Sequence, residues 1–336
     1  MDSHADTLAD TLAATTPGPQ NPAPGAASVL LSTGSLFHLP LPAIARIAAG
    51  AGFAGLDLVM GSAKIAPGQA VDQAHALCPV RVVHAPFRNW SAWGGHMNAW
   101  RAAVALAASL AASRGRDQCG DQRGGHSDGQ GEGRSDGQGG PWPHITLHPP
   151  AGTLQDAIQT RWFARAVDLP RLLDAPPGLG LSLENLPWAH GAGGLFGRDP
   201  LAQLLAECQG KNLGLTLDVC HLGVSGRDVL ADLARVPAGL IRHVHFSDAA
   251  GFAEHLPPGA GELPLGPFLA RLGAGGYAGT VSLELDPAHL PEDEAGQVRE
   301  LARLRGGMER ALAGDAPPEW SGRERSGRAQ GMAALG

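Results

Sequence analysis

Histidines and carboxylates sit at the ends of six successive apolar runs of this chain. VRVVH closes on His84, HITLH on His148, LGLSLE on Glu184 and LGLTLD on Asp218, with His221 three residues later. IRHVHFSD carries His245 and Asp248, and TVSLEL carries Glu284. Burying one ionised carboxylate without a partner is costly, and three brought together also repel one another. A divalent cation removes both penalties, because it neutralises the carboxylates and accepts neutral imidazole nitrogens. Glu184, Asp218, His245 and Glu284 therefore read as a metal-ligand set, and His84, His148, His221 and His255 as candidate ligands of a second ion. Taken singly, each has a plainer reading. A strand-terminal histidine is easily satisfied by one hydrogen bond, and Glu184 or Glu284 could pair with an arginine at a rim. The succession is what carries the metal reading.

Those runs belong to eight short segments rich in Val, Ile and Leu, at 29–33, 55–60, 80–84, 144–148, 179–184, 213–218, 241–246 and 280–285. Stretches of helical period follow them, such as PAIARIAAGAG, MNAWRAAVALAASLAAS and DEAGQVRELARLRGGMERAL. Eight such units predict an α/β fold of one domain, a (β/α)8 TIM barrel, in which catalytic groups project from the carboxyl ends of the strands. An open doubly wound sheet would normally carry a glycine-rich phosphate turn after its first strand, and GSLFHLPLP is not one. The barrel interior is expected to be Val, Ile and Leu. His243 shares a strand face with His245 and reads as a core or supporting residue one layer deeper. Cys220 reads as a small buried hydrophobe. Trp90, Trp93 and Trp188 either line an apolar substrate wall or pack, and Arg88, His190 and Arg198 are candidate substrate contacts in the loops.

The chain has 336 residues and a formal net charge of −7, and its 25 Lys and Arg form no basic run. That argues against a surface that tracks nucleic-acid phosphates and for a small-molecule substrate. The 4 cysteines are far apart and show no CxxC spacing, which suggests neither a disulfide framework nor a cysteine zinc site and reads as a reducing cytoplasm. The N-terminal segment MDSHADTLADTLAATTPGPQNPAPG lacks the basic and apolar regions of a secretory signal, and no apolar run reaches membrane-spanning length. Residues 1–27 and 314–336 read as tails flanking a barrel over 28–313. Residues 113–140, which contain SDGQG twice, read as a low-complexity insertion on the face opposite the active site. Oligomeric state is left open.

The endings HAP, HPP, LEN, LDVCH, HVHFSD and LEL, in that order, resemble the successive motifs of the xylose isomerase-like TIM barrels, the superfamily that also holds endonuclease IV. So does the segment EHLPPGAGELPLGPFLARLGAGGYAGTVSLEL. In the sugar isomerase and epimerase branch, the resemblance implies one divalent ion (Mn, Mg or Zn) held by Glu184, Asp218, His245 and Glu284. Glu184 and Glu284 would exchange a proton across the reacting carbon, and His221 would contact a substrate oxygen. In the endonuclease IV branch it implies three zinc ions and phosphodiester cleavage, with His84, His148, His221 and His255 as additional ligands. There the aspartate expected two residues before His255 is Ala253, so the third site lacks its carboxylate unless Asp248 or Glu254 reaches in. The leading expectation is a metal-dependent isomerase or epimerase of a sugar or related polyhydroxy molecule. The alternative is a zinc phosphodiesterase acting on a small organic phosphodiester rather than on abasic DNA, and a third is a barrel that holds metal without turnover.

Overall fold

The computed structural model describes residues 26–61, 68–88, 90–119, 143–150, 163, 165–187 and 199–315. Eight parallel strands close into a barrel in the order β1, β10, β7, β6, β5, β4, β3, β2. These are β1 (Ser28–Ser32), β2 (Leu56–Val59), β3 (Val80–His84), β4 (His144–Leu147), β5 (Leu181–Glu184), β6 (Gly214–Asp218), β7 (Ile241–Phe246) and β10 (Thr280–Leu283). All eight segments read from the sequence are strands. Around them lie α1 (Leu41–Gly50), α2 (Gln69–Leu77), α3 (His96–Cys119), α4 (Leu169–Leu172), α5 (Pro200–Gly210), α6 (Val219–Val224), α7 (Val229–Arg235), α8 (Leu265–Ala274) and α9 (Glu294–Leu312). No described helix is long and apolar enough to cross a membrane. Helix α3 runs to Cys119, so the described part of the expected insertion is helical; 120–140 lies outside the described residues.

The strands alternate as a barrel requires, but with the apolar side outward. Leu181, Leu183, Leu215, Leu217, Val281 and Leu283 are buried in the main hydrophobic core, which lies between strands and helices. Their neighbours Ser182, Thr216 and Ser282 face the barrel axis and are equally buried. The interior below the strand ends is therefore largely polar, with Leu30 and Val82 its apolar members, against the expectation of Val, Ile and Leu. Several of its groups pair with one another: Thr146 and Thr216 hydroxyls lie 3.0 Å apart, Ser182 and Thr216 hydroxyls 2.5 Å, and His144 Nε2 is 2.6 Å from Ser182 Oγ, while Ser282 Oγ has no partner. Mutual hydrogen bonding is what makes a polar interior tolerable.

One further element was not legible in advance. After β7 the chain makes an antiparallel hairpin, β8 (Asp248–Ala250) and β9 (Ala253–Leu256). Gly251 turns it with φ +58, a backbone conformation that suits glycine. The hairpin carries His255, itself at φ +56, against Cys220 and His221 of α6.

Candidate metal centre

Asp218 is positioned by its own backbone as well as its side chain. It ends β6 and caps α6, where its Oδ1 accepts the His221 N–H at 2.7 Å. Its N–H donates to Asn185 Oδ1 and its carbonyl accepts from Asn185 Nδ2, both at 2.8 Å. That leaves Oδ2, which is buried and makes no hydrogen bond although His221 Nδ1 lies 3.3 Å away and His245 Nδ1 3.7 Å.

His245 is the hub. The register pairs it with Asp218 on β6 and with Ser282 on β10. Its Nδ1 lies 3.1 Å from Glu184 Oε1 and 3.5 Å from Glu284 Oε2, so all four residues of the expected first ligand set converge on one point. Glu284 sits toward the mouth, its side chain 21% exposed, and accepts from Ser32 Oγ at 3.4 Å.

Glu184, 1% exposed, belongs to two clusters at once. Its second oxygen, Oε2, lies 3.0 Å from His84 Nε2 and 2.9 Å from His148 Nε2. Ligand atoms of Glu184, Asp218 and His245 lie within 4.8 Å of one another, and so do those of His84, His148 and Glu184. Phe87 covers the second cluster, its ring centroid 5.3 Å from that of His84 and 5.0 Å from that of His148. Arg88 does not enter; its guanidinium stacks over Phe87 at 4.5 Å.

The electrostatics follow from burial and crowding. Burial alone would raise the Glu184 carboxyl, but His245 and His148 beside it hold it well below the usual range. Asp218 behaves in the same way next to His221. His221 is pushed up to about 10, because Asp218 and Glu184 outweigh the burial that would lower it. His245 rises well above its ordinary value, against burial, under Glu184 and Glu284. His148 goes the other way, with burial winning over Glu184. Protons on His245 and His221 thus supply the positive charge that the carboxylates demand. A divalent cation would displace those protons and satisfy Asp218 Oδ2, and the mixed imidazole and carboxylate donors suit Zn²⁺ or Mn²⁺.

The remaining sequence candidates separate. His221 reaches the first cluster, with Nδ1 3.4 Å from Glu184 Oε1, but its Nδ1–H donates to the Asn185 carbonyl at 2.9 Å and its other nitrogen stays available. His255 stands beside it at 6.0 Å between centroids, with Nδ1 3.3 Å from Ser247 Oγ and its N–H donating to Cys220 Sγ. The four extra histidines are therefore two pairs, and only His84 and His148 share a carboxylate oxygen. Neither acid mooted for the third site reaches in. Asp248 spends its carboxylate on the backbone N–H groups of Ala249, Gly259, Gly261 and Leu263 at 2.9 to 3.0 Å, and Glu254 is exposed. Trp90 stacks on His96 and Trp93 packs against the core, while Trp188, His190 and Arg198 lie outside the described residues.

Sequence reasoning missed Asp57, Asn185, Phe87 and Ser32. Asp57 is fully buried on β2, and its Oδ2 lies 3.1 Å from both His245 Nε2 and His243 Nε2. An acid inside the apolar run GLDLVM was a visible signal; Phe87 and Ser32 carried none.

Comparison with known proteins agrees with this architecture. Residues 140–306 match the family described as xylose isomerase-like TIM barrel. An uncharacterised protein of Methanocaldococcus jannaschii is 33% identical over 110 residues, which is 32% of this chain and 37% of that protein. The solved structure of 3-keto-D-glucoside 4-epimerase from E. coli superposes with a TM-score of 0.54 at 16% identity, over 83% of this chain and 99% of that one. That of an IOLI protein with a bound zinc atom gives 0.51 at 13% identity, over 85% and 97%.

Proposed function

Since the chain belongs to the xylose isomerase-like TIM-barrel superfamily, we propose that it is a metal-dependent enzyme acting on a small molecule, and that it hydrolyses a phosphoester across two adjacent cations. The observation that carries this reading is the division of Glu184: Oε1 faces His245, and Oε2 is held by both His84 and His148. Glu184, Asp218, His245 and Glu284 would hold one cation and His84, His148 and Glu184 the other. When bound, the two would supply Lewis-acid charge for the phosphoryl oxygens and for the attacking water.

The chain's own residues do the rest. Asn185 locks Asp218 and His221 in one orientation, so the ligand cage needs no rearrangement to form. Phe87 packs its ring against His84 and His148. Glu284, the one partly exposed carboxylate of the set, stands toward the barrel mouth with Oε2 3.5 Å from His245 Nδ1. His221, bonded at Nδ1 to Asn185, has Nε2 for an anionic substrate oxygen.

Isomerisation or epimerisation is the second reading, favoured by the approach of Glu184 and Glu284 to the same His245 nitrogen and by the epimerase among the structures that share the fold. It requires Glu184 to offer a free oxygen to a carbon-bound proton, and both of its oxygens are engaged.

The deciding experiment is metal analysis of protein purified without added metal, together with turnover of bis(p-nitrophenyl) phosphate. Two Zn²⁺ per chain, falling to one with loss of turnover in His84→Ala/His148→Ala, is the expected result. One ion per chain, no phosphoester turnover, and solvent deuterium entering a ketose at carbon would transfer the site to the second reading.

A further inference from the structure

Beneath the metal ligands, Asp57, His243 and Thr280 form a chain that ends on His245. His243 Nδ1 lies 2.7 Å from Thr280 Oγ1 and 3.0 Å from the Thr280 carbonyl, which also accepts from Tyr277 OH at 2.9 Å. His243 turns its other nitrogen, Nε2, toward Asp57. That nitrogen and His245 Nε2 both lie 3.1 Å from the same oxygen, Asp57 Oδ2. A carboxylate only accepts, so both Nε2 atoms must carry hydrogen. Asp57 and His243 are 0% exposed and His245 1%, so no solvent competes for these bonds. With Nε2–H committed downward, Nδ1 is the nitrogen of His245 at which a cation would replace a proton, and it faces Glu184, Asp218 and Glu284.

We propose that Asp57 is a positioning residue for the metal centre: buttressed by His243 and Thr280, it fixes the tautomer and ring orientation of His245 so that Nδ1 is the ligand atom. This rests on the reading of Glu184, Asp218, His245 and Glu284 as a cation site. It adds a residue from β2, a strand that contributes no ligand to either cation set. Carboxylates that hold a ligating histidine by its far nitrogen raise its basicity and freeze its ring, and their loss typically costs about 10 to 100-fold in metal affinity.

The test is metal affinity, measured by chelator competition on the whole chain. Asp57→Leu, with the same branched shape but larger and without an acceptor, is expected to bind Zn²⁺ about 10 to 100-fold more weakly, and Asp57→Asn, which keeps one acceptor oxygen, is expected to fall between it and wild type. Thr146→Val, a polar-to-apolar change at a similar buried depth with no bond to a ligand, is expected to leave affinity unchanged. If Asp57→Leu does not fold, long-range 1H–15N correlation of the zinc-loaded wild-type protein answers instead: a slowly exchanging proton on His245 Nε2 and none on Nδ1 is the expected pattern. Unchanged affinity in Asp57→Leu, an equal loss in Thr146→Val, or the proton on Nδ1 overturns the proposal. Loss of a whole equivalent of metal in Asp57→Asn would also overturn it, by making Asp57 itself a ligand alongside His243 and His245. If wild type binds no divalent cation, the site reading fails first, and the two failures are thereby told apart.

Discussion

The two ends of the barrel carry opposite charge and handle it in opposite ways. At the carboxyl end, Glu184, Asp218 and Glu284 converge on one imidazole, and the first two are buried. At the amino end, a concavity of ≈ 1160 Å³ is lined by Arg81, Arg242, Arg271 and His144, with no aspartate or glutamate among the described lining residues. Arg242 is exposed and Arg81 half-buried, its Nε buried without a hydrogen-bond partner, and neither has an ion-pair partner among the described residues. The contrast shows that charge type alone does not make a site. Charge removed from water must be answered inside the protein, and at the carboxyl end the answer is too large for hydrogen bonds alone. At the amino end the exposed Arg242 keeps its charge in reach of solvent.

That comparison predicts effects of descending size. Glu184→Gln, which removes the shared carboxylate, is expected to abolish tight binding at both cation sites and to lower turnover by roughly 10³-fold; metal analysis with steady-state kinetics checks it. Retention of full metal content and activity would refute the site assignment altogether. At the opposite end, Gly180→Ala is expected to act on stability alone. A Cβ there would stand 2.6 Å from His144 Nδ1, and that ring is held in place through its bond to Ser182. A loss of about 1–3 kcal/mol is expected from the overpacking, read as a lower urea midpoint, with metal content unchanged. Coupled loss of metal would show that the two ends are not independent.

The smallest effect concerns pH. His144 is pushed down to about 3 by burial and by the nearby His243 and Arg242, from an ordinary value of 6.5. In the unfolded chain this imidazole takes a proton below about pH 6.5, while the folded chain resists until about 3. Folding stability is therefore whole above 6.5 and declines as pH falls through that window. His144→Gln is expected to flatten that part of the acid limb when urea midpoints at pH 7 and pH 5 are compared. An unaltered limb would mean that His144 is protonated in the folded protein.

Much of the centre was readable because a barrel sends strand ends to one place. Glu184, Asp218, His245 and Glu284 each end a strand, so period and topology sufficed to bring them together. The hairpin bearing His255 was not readable, because DAAGFAEHL is too short and too mixed to show strand alternation. Asp57 stood in plain view in GLDLVM, yet its partners His243 and His245 are 186 and 188 residues away along the chain. Nothing local joins them. The polar interior was hidden for a related reason: alternation gives two faces of each strand, and only the closed sheet decides which one turns inward.

What the sequence determined by itself was the eight-unit alternation, hence the barrel, and the chemistry delivered to its carboxyl end, because both depend on local period and on residue type. What only the tertiary structure decided was how that chemistry is divided. Glu184 is shared between two clusters, the extra histidines fall into two pairs, and Asp57 reaches up from below. These depend on ångström-scale separations across strands far apart in sequence, which the packing of the closed barrel sets and no local pattern encodes.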